Sequence, residues 1–262
     1  MFCQKNWAIL SLRIIHWPNN TYFCRMGKDK LRKFRENEQM SCVVEPTSEE
    51  ARNGLPLKGN WAKDQFSNDQ GLVLELGCGK GEYTVELARR NPHQNHIGVD
   101  IKGARLWRGA KTATEEGLNN VAFLRTRIDW IDQCFGPNEV DEIWITFPDP
   151  QIKYKRAKHR LTHPEFLLRY RKFLKPGGPI NLKCDSEYLH GYTHGIVQML
   201  GLEVEEAYHN IHEQILPNEG ILFDVVTHYE SMWLAQGKAT TYLRFKLDGI
   251  EDAMSHWANF KK

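Results

Sequence analysis

Two stretches of this 262-residue chain carry side chains whose types and spacing could do chemistry. The first is Leu72-Val73-Leu74-Glu75-Leu76-Gly77-Cys78-Gly79-Lys80-Gly81, an apolar run that reaches an acid and then alternates three glycines with single residues. Strand, glycine turn and helix start in that order make a nucleotide-binding corner. Glycine lets the backbone approach a ligand, and the first turn of a helix presents unpaired N–H groups. The dinucleotide fingerprint G-x-G-x-x-G would need its third glycine where Glu82 stands. What stands instead is E-x-G-x-G-x-G, with Glu75 inside the strand end. A carboxylate there is poorly placed for a pyrophosphate and well placed for a cationic amine. S-adenosylmethionine carries such an amine and no phosphate. The plainer alternative is a tight glycine turn that holds no ligand.

The second stretch is Phe147-Pro148-Asp149-Pro150, followed by Lys153, Lys155, Arg156, Lys158 and Arg160, with His159 among them. Two prolines stiffen the loop and fix the direction of the carboxylate between them. A basic run in isolation is usually a solvated loop. One that leaves the same rim as a ligand corner suits a phosphate backbone.

The elements that must position these groups follow from the apolar pattern. Leu72–Leu76, His96–Asp100, Val121–Leu124, Ile143–Phe147 and Ile180–Asp185 read as five strands separated by helix-length segments, which implies a doubly wound, mostly parallel sheet. Helices are expected from Glu82 to Asn91-Pro92, from about Ala104 to Glu116 with Gly117 as stop signal, and from near Thr162 with Pro164 in the first turn. Thr241, Leu243 and Phe245 alternate with Tyr242, Arg244 and Lys246, as an edge or antiparallel strand would. In such sheets ligands lie outside the carboxyl ends of the strands. Glu75, Asp100, Asp129, Asp149 and Asp185 all fall at or just past such ends. One or two of them are expected to be helix caps or solvated loop residues.

Composition sets the frame. Hydrophobic residues make up 41% and charged residues 26%, an ordinary globular balance. The net charge is +2, so nucleic-acid binding has to rest on local clusters. Six cysteines are scattered without a C-x-x-C pair, which reads as free thiols in a reducing cytosol. No apolar run approaches the roughly 18 residues of a membrane span. None of the histidines has metal-ligand spacing, so no metal is expected. The expected organisation is a non-core extension over 1–25, with Met26 as the natural start, and a basic arm (residues 28–35) and lead-in over 26–70. Trp61 and Phe66 would anchor that lead-in. A catalytic domain over 71–250 and a tail over 251–262 complete it.

Glu75-Leu76-Gly77-Cys78-Gly79-Lys80-Gly81, Phe147-Pro148-Asp149-Pro150 with its basic run, and Thr227-His228-Tyr229-Glu230 together resemble the bacterial tRNA (guanine-N7)-methyltransferase family, from about Met26 to Leu247. The glycine motif alone marks S-adenosylmethionine-dependent enzymes generally; F-P-D-P with its basic tail and T-x-Y-E are far more specific. The resemblance implies an α/β, Rossmann-like class I methyltransferase fold, with S-adenosylmethionine as donor and guanine 46 of the tRNA variable loop as target. Carried over by position, Glu75 and Asp100 would contact the cofactor's amino-acid moiety and ribose beside Gly77, Gly79 and Gly81. Asp149 would be the catalytic acid lying against the cofactor. Lys153, Asp185, Thr227, His228, Tyr229 and Glu230 would bind substrate, and Lys155, Arg156, Lys158 and Arg160 would meet the tRNA backbone. Two positions depart from the family: Gln151 stands where a Trp is usual, and Arg127 where an acid is, leaving Ile128 or Asp129 for the adenine. Cysteine usage and the lack of a membrane span point to a cytoplasmic protein, and the family implies a monomer or homodimer.

Guanine N7 has an in-plane lone pair and no proton, so its methylation needs orientation and no general base. An acid facing the Watson–Crick edge could accept N1–H and N2–H and steady the charge that develops on the purine. Asp149 is expected to do so, with Glu230 or Asp185 assisting. The rival readings are a nicotinamide oxidoreductase, against which the glycine spacing counts, a methyltransferase for another RNA or a small molecule, and a non-catalytic RNA-binding module.

Overall fold

The computed structural model describes residues 20–260, apart from Leu216 and Asn218. The expected extension over 1–25 falls mostly outside the described residues. In chain order the helices are α1 (Asn20–Asn37), α2 (Ser48–Asn53), α3 (Glu82–Arg90), α4 (Gly103–Glu115), α5 (Pro164–Arg171), α6 (Glu187–Met199), α7 (Ile211–Gln214), α8 (Ile221–Asp224), α9 (His228–Leu234) and α10 (Ile250–Phe260). The strands are β1 (Val43–Val44), β2 (Leu72–Leu76), β3 (Asn95–Val99), β4 (Val121–Leu124), β5 (Glu142–Thr146), β6 (Pro179–Cys184), β7 (Val204–Tyr208) and β8 (Thr241–Lys246).

These strands form one eight-stranded sheet in the order β1-β4-β3-β2-β5-β6-β8-β7. The pairs from β1 to β6 are parallel, and β8 runs antiparallel to both β6 and β7. Strands β2, β3 and β4 are buried along their whole length because helices cover both faces, which is why they read as mostly apolar runs, with Glu75 in β2 and Asn95 and His96 in β3 as buried polar exceptions. Leu72, Leu74 and Leu76 point into the larger core, with Phe166, Leu167 and Tyr170 of α5 and Leu189 and Val197 of α6. Val73 points the other way, toward Tyr83 and Leu87 of α3. The winding reverses between β2 and β5, so their carboxyl ends diverge and leave a crevice.

Strand β8 is antiparallel, as its alternation implies, but it is not an edge. Strand β7 lies outside it, a polar Val-Glu-Glu-Ala-Tyr run that is only partly buried and shows no apolar periodicity. The basic segment 28–35 is likewise not a free arm. It lies in α1, which docks on α4: Asn37 Nδ2 donates to Gly103 O at 3.1 Å, and Trp107 Nε1 donates to Glu36 at 2.7 Å. Arg32 and Lys33 pair with Asp29 and lie over the Trp107 ring. Trp61 is fully buried, stacked on Phe135, and Phe66 packs against the same core. Where the tail is expected, Ile250–Phe260 forms α10, with Ile250, Ala253 and Met254 on the main core. No helix among the described residues is long and apolar enough to cross a membrane.

Candidate active site

At the end of β2 the chain turns through Gly77, Gly79 and Gly81, all with positive φ (81°, 58° and 71°). Other residues reach that region only at a cost, so the alternation of glycines is a backbone requirement. A Cβ on Gly77 would meet only Leu161 Cδ1, at 3.8 Å, and one on Gly79 only a carbonyl oxygen at 4.0 Å. The space above both is therefore open to a ligand. Gly81 differs: a Cβ there would lie 2.5 Å from the Phe123 ring, so this glycine lets α3 close onto the sheet. Asp100, one residue past β3, ties the corner together, accepting from Gly79 N at 3.0 Å and Lys102 N at 2.7 Å.

Beside the corner lies a cleft of about 420 Å³, whose walls come from the carboxyl ends of four elements. Gly77 and Asp100 form one side, Thr126 to Asp129 the floor, and Phe147, Pro148, Asp149 and Gln151 the opposite lip. A smaller cavity of about 90 Å³ adjoins it, sharing Gly77, Arg105 and Phe147 and reaching Glu75, Gly79, Thr146 and Thr227.

Glu75 sits beneath that corner, 2% exposed. Thr84 N donates to one of its oxygens at 2.8 Å, the Thr84 hydroxyl donates to the same oxygen, and the Thr146 hydroxyl to the other. Burial still dominates and pushes its carboxyl up to about 7, with the threonine hydrogen bonds opposing. An ammonium group in the small cavity would favour the ionised form, so this acid suits a cationic ligand. Ile128 packs against the core, and Asp129 pairs with Arg127 at 2.8 Å on the cleft wall.

The loop after β5 is held in an unusual shape. Phe147 and Gln151, at its two ends, both have φ of +46°, a region that costs a non-glycine residue on the order of 1–3 kcal/mol. Arg160 overdetermines it. This side chain donates to the Pro150 and Gln151 carbonyls and to the Tyr188 hydroxyl, and its guanidinium lies 5.0 Å and 4.2 Å from the Tyr188 and Tyr192 ring centres. It is 3% exposed, which corrects the expectation that it meets a phosphate: one cation of the run is turned inward as the loop's clamp. Gln151, where a Trp was expected, accepts from Arg156 Nε, a bond an indole could not supply. Lys153, Lys155 and Lys158 are exposed, and Asp149 is exposed at the cleft lip with its Oδ1 accepting from Gln151 N.

The T-x-Y-E motif opens α9. Thr227 is the N-cap, its hydroxyl accepting from Glu230 N at 3.2 Å, and it faces the small cavity. Glu230 is fully buried, with Lys183 Nζ 2.8 Å and 2.9 Å from its two oxygens. Contact with a substrate is therefore not open to Glu230 in this arrangement. Its carboxylate neutralises Lys183, a residue sequence reasoning passed over. Lys183 also donates to Leu222 O and Val225 O, so one buried ammonium fastens the whole 222–230 segment to β6. The side chains of His228 and Tyr229 lie outside the described residues. Asp185 is half-buried at the end of β6 and lines neither cavity. Arg105, also passed over, stands on α4 where the two cavities meet.

Comparison with known proteins places this geometry. Residues 69–243 match the family described as "Putative methyltransferase". The tRNA (guanine-N(7)-)-methyltransferase of Christiangramia forsetii is 57% identical over 223 residues, which cover 84% of this chain and 99% of that protein. That of Porphyromonas gingivalis is 48% identical over 199 residues, covering 76% and 80%. Among solved structures, the 16S rRNA methyltransferase KamB superposes with a TM-score of 0.54 at 15% identity, over 72% of this chain and 94% of that one, a likeness of fold. A doubly wound sheet with an open glycine corner at its switch point, matched by this family over two thirds of its length, is a Rossmann-like methyltransferase. Within that class the chain belongs to the tRNA (guanine-N7)-methyltransferase family.

Proposed function

We propose that this protein transfers a methyl group from S-adenosylmethionine to N7 of guanine 46 in the variable loop of tRNA. The observation that carries the reading is the single cleft on which the open glycine corner, Asp100 and Asp149 converge, with exposed Lys153, Lys155 and Lys158 leaving the same lip. The donor fits the residues present. Asp100 retains lone pairs for ribose hydroxyls, Ile128 and Asp129 flank a place for the adenine, and Glu75 offers a buried carboxylate toward an ammonium group. When bound, S-adenosylmethionine supplies an electrophilic methyl carbon on a sulfonium.

The chain's own work is then orientation. Asp149 accepts hydrogen bonds from N1–H and N2–H of guanine and aims N7 along the cleft. No residue has to remove a proton, because N7 carries none. Thr227 closes the small cavity, and the buried pair of Lys183 and Glu230 keeps it in place. Swinging the guanine out of the tRNA core costs a few kcal/mol, which the lysines at the lip offset through phosphate contacts.

The test is transfer of labelled methyl groups from S-adenosylmethionine to tRNA from cells lacking the enzyme, followed by mapping of N7-methylguanosine. A single modified guanine at position 46 is expected. Methylation at another guanine would overturn the assigned position, and no transfer to tRNA would overturn the reading as a whole.

A further inference from the structure

The lip loop carries a feature that phosphate binding does not use. Tyr154 is 93% exposed and Ile152 67%, the two most exposed large hydrophobic side chains among the described residues. Neither makes a ring contact or hydrogen bond through its side chain among the described residues. They alternate with Lys153 and Lys155, whose ammonium groups have no ion-pair partner among the described residues. Leaving a tyrosine ring in water forgoes the stabilisation that burial would bring. The root of the loop beneath it is nonetheless held, by the Arg160 clamp on Pro150 and Gln151 and by the bond from Arg156 to Gln151. The tip therefore stands on a held backbone near the cleft that Gln151 and Asp149 line, and a loop already held at its root loses less backbone freedom on binding.

We propose that Tyr154 is a stacking platform for an unpaired nucleobase of the tRNA next to the target guanine, with Ile152 packing beside it. This rests on the reading of tRNA as substrate and extends it from the phosphates to the bases. A ring flanked by free cations fits a partner that offers both negative charge and flat apolar faces, which unpaired RNA does. A second copy of this chain fits poorly, since a symmetric contact would set the same cations against each other. Stacking is a short-range contact with no counterion release, so its energetic signature differs from that of the neighbouring lysines.

The experiment measures the Kd for tRNA across a series of salt concentrations for the wild-type protein, Tyr154→Ala, Tyr154→Phe and Lys155→Ala. Tyr154→Ala is expected to weaken binding about tenfold at every salt concentration, giving a parallel line on a log–log plot, in keeping with stacking losses measured by alanine substitution. Tyr154→Phe should bind within about twofold of wild type, since the ring face is kept. Lys155→Ala should instead flatten the slope by roughly 0.7–0.9, its effect fading as salt rises. Affinity for S-adenosylmethionine and thermal stability should be unchanged in Tyr154→Ala, as the ring supports nothing in the fold. Wild-type tRNA affinity in Tyr154→Ala would overturn the proposal, as would a loss that phenylalanine does not restore or one that changes the salt slope. A change in sedimentation without a change in tRNA affinity would make the tip a protein contact and equally overturn it. A wild-type protein that neither binds nor methylates tRNA would instead bring down the underlying functional reading, so the two failures are distinct.

Discussion

At the scale of single residues, two acids of the site, Glu75 beneath the glycine corner and Asp149 at the cleft lip, are built for different work. Glu75 is buried, donated to by Thr84 and Thr146, and raised to about 7; Asp149 is exposed at the cleft lip. An acid whose folded pKa lies above its unfolded value of about 4.5 binds more protons folded than unfolded. Its contribution is therefore most favourable below about 4.5, and stability falls as pH rises toward 7, beyond which the full cost persists. Glu75→Gln should remove that cost, on the order of 3 kcal/mol at pH 8 and little at pH 4.5, from about 1.4 kcal/mol per pKa unit. Urea unfolding of both proteins at several pH values measures the difference curve, and a difference that does not grow between pH 5 and 8 would contradict it. On the proposed function, the same substitution should weaken S-adenosylmethionine binding at least tenfold, because the carboxylate assigned to the ammonium loses its charge. Asp149→Asn calls for the opposite pattern: cofactor affinity close to wild type, with kcat reduced about 10²- to 10³-fold, the usual loss when a group aimed at developing charge is removed. Isothermal titration and single-turnover methyl transfer separate the two.

At the scale of elements, two buried cations shape the site, Arg160 at the cleft lip and Lys183 beneath the 222–230 segment, and neither is visible in the sequence as such. Arg160 ends a run of five basic residues, and nothing in that run marks which one turns inward. The nearest signal is distant, Tyr188 and Tyr192 spaced one helical turn apart on α6 so that both rings reach the guanidinium. Lys183 reads as an ordinary polar residue inside an apolar strand, and its partner Glu230 comes 47 residues later. The T-x-Y-E motif was legible, but as a substrate contact; the structure makes Thr227 a helix cap and Glu230 half of a buried ion pair with Lys183. Lys183→Met should destabilise by about 3–5 kcal/mol, since it strands a buried carboxylate. Lys183→Met combined with Glu230→Gln should recover much of that loss, as no charge is then left buried. Chemical denaturation of the two single variants and the double variant gives the coupling, and additive losses would show that the pair does not act as a unit.

At the scale of the molecule, the parallel core was readable because strands covered on both faces are mostly apolar, as β2, β4, β5 and β6 are around buried polar positions such as Glu75 and Lys183. The periphery was not: β1 has two residues, and β7 is polar and half-exposed, so neither leaves a pattern that pairing with β4 or β8 would predict. Charge follows a similar division between what is placed and what is merely present. The chain holds 35 lysines and arginines against 33 acids, so its overall field offers a polyanion almost nothing. Along α1, Arg32 and Lys33 are already paired with acids on their own helix. On the proposed function, Lys153, Lys155 and Lys158, exposed on a clamped loop beside the cleft, supply attraction for the tRNA backbone. Each phosphate neutralised releases condensed counterions, so replacing all three lysines by alanine should flatten the log–log dependence of tRNA affinity on salt by about 2 to 3. Affinity for S-adenosylmethionine should stay at its wild-type value, because none of the three lysines lines either cavity. Filter binding between 50 and 300 mM salt (roughly the range over which such slopes are linear) measures the change. A slope equal to that of the wild type would move the tRNA path to another face of the sheet and separate it from the cleft that holds Asp149.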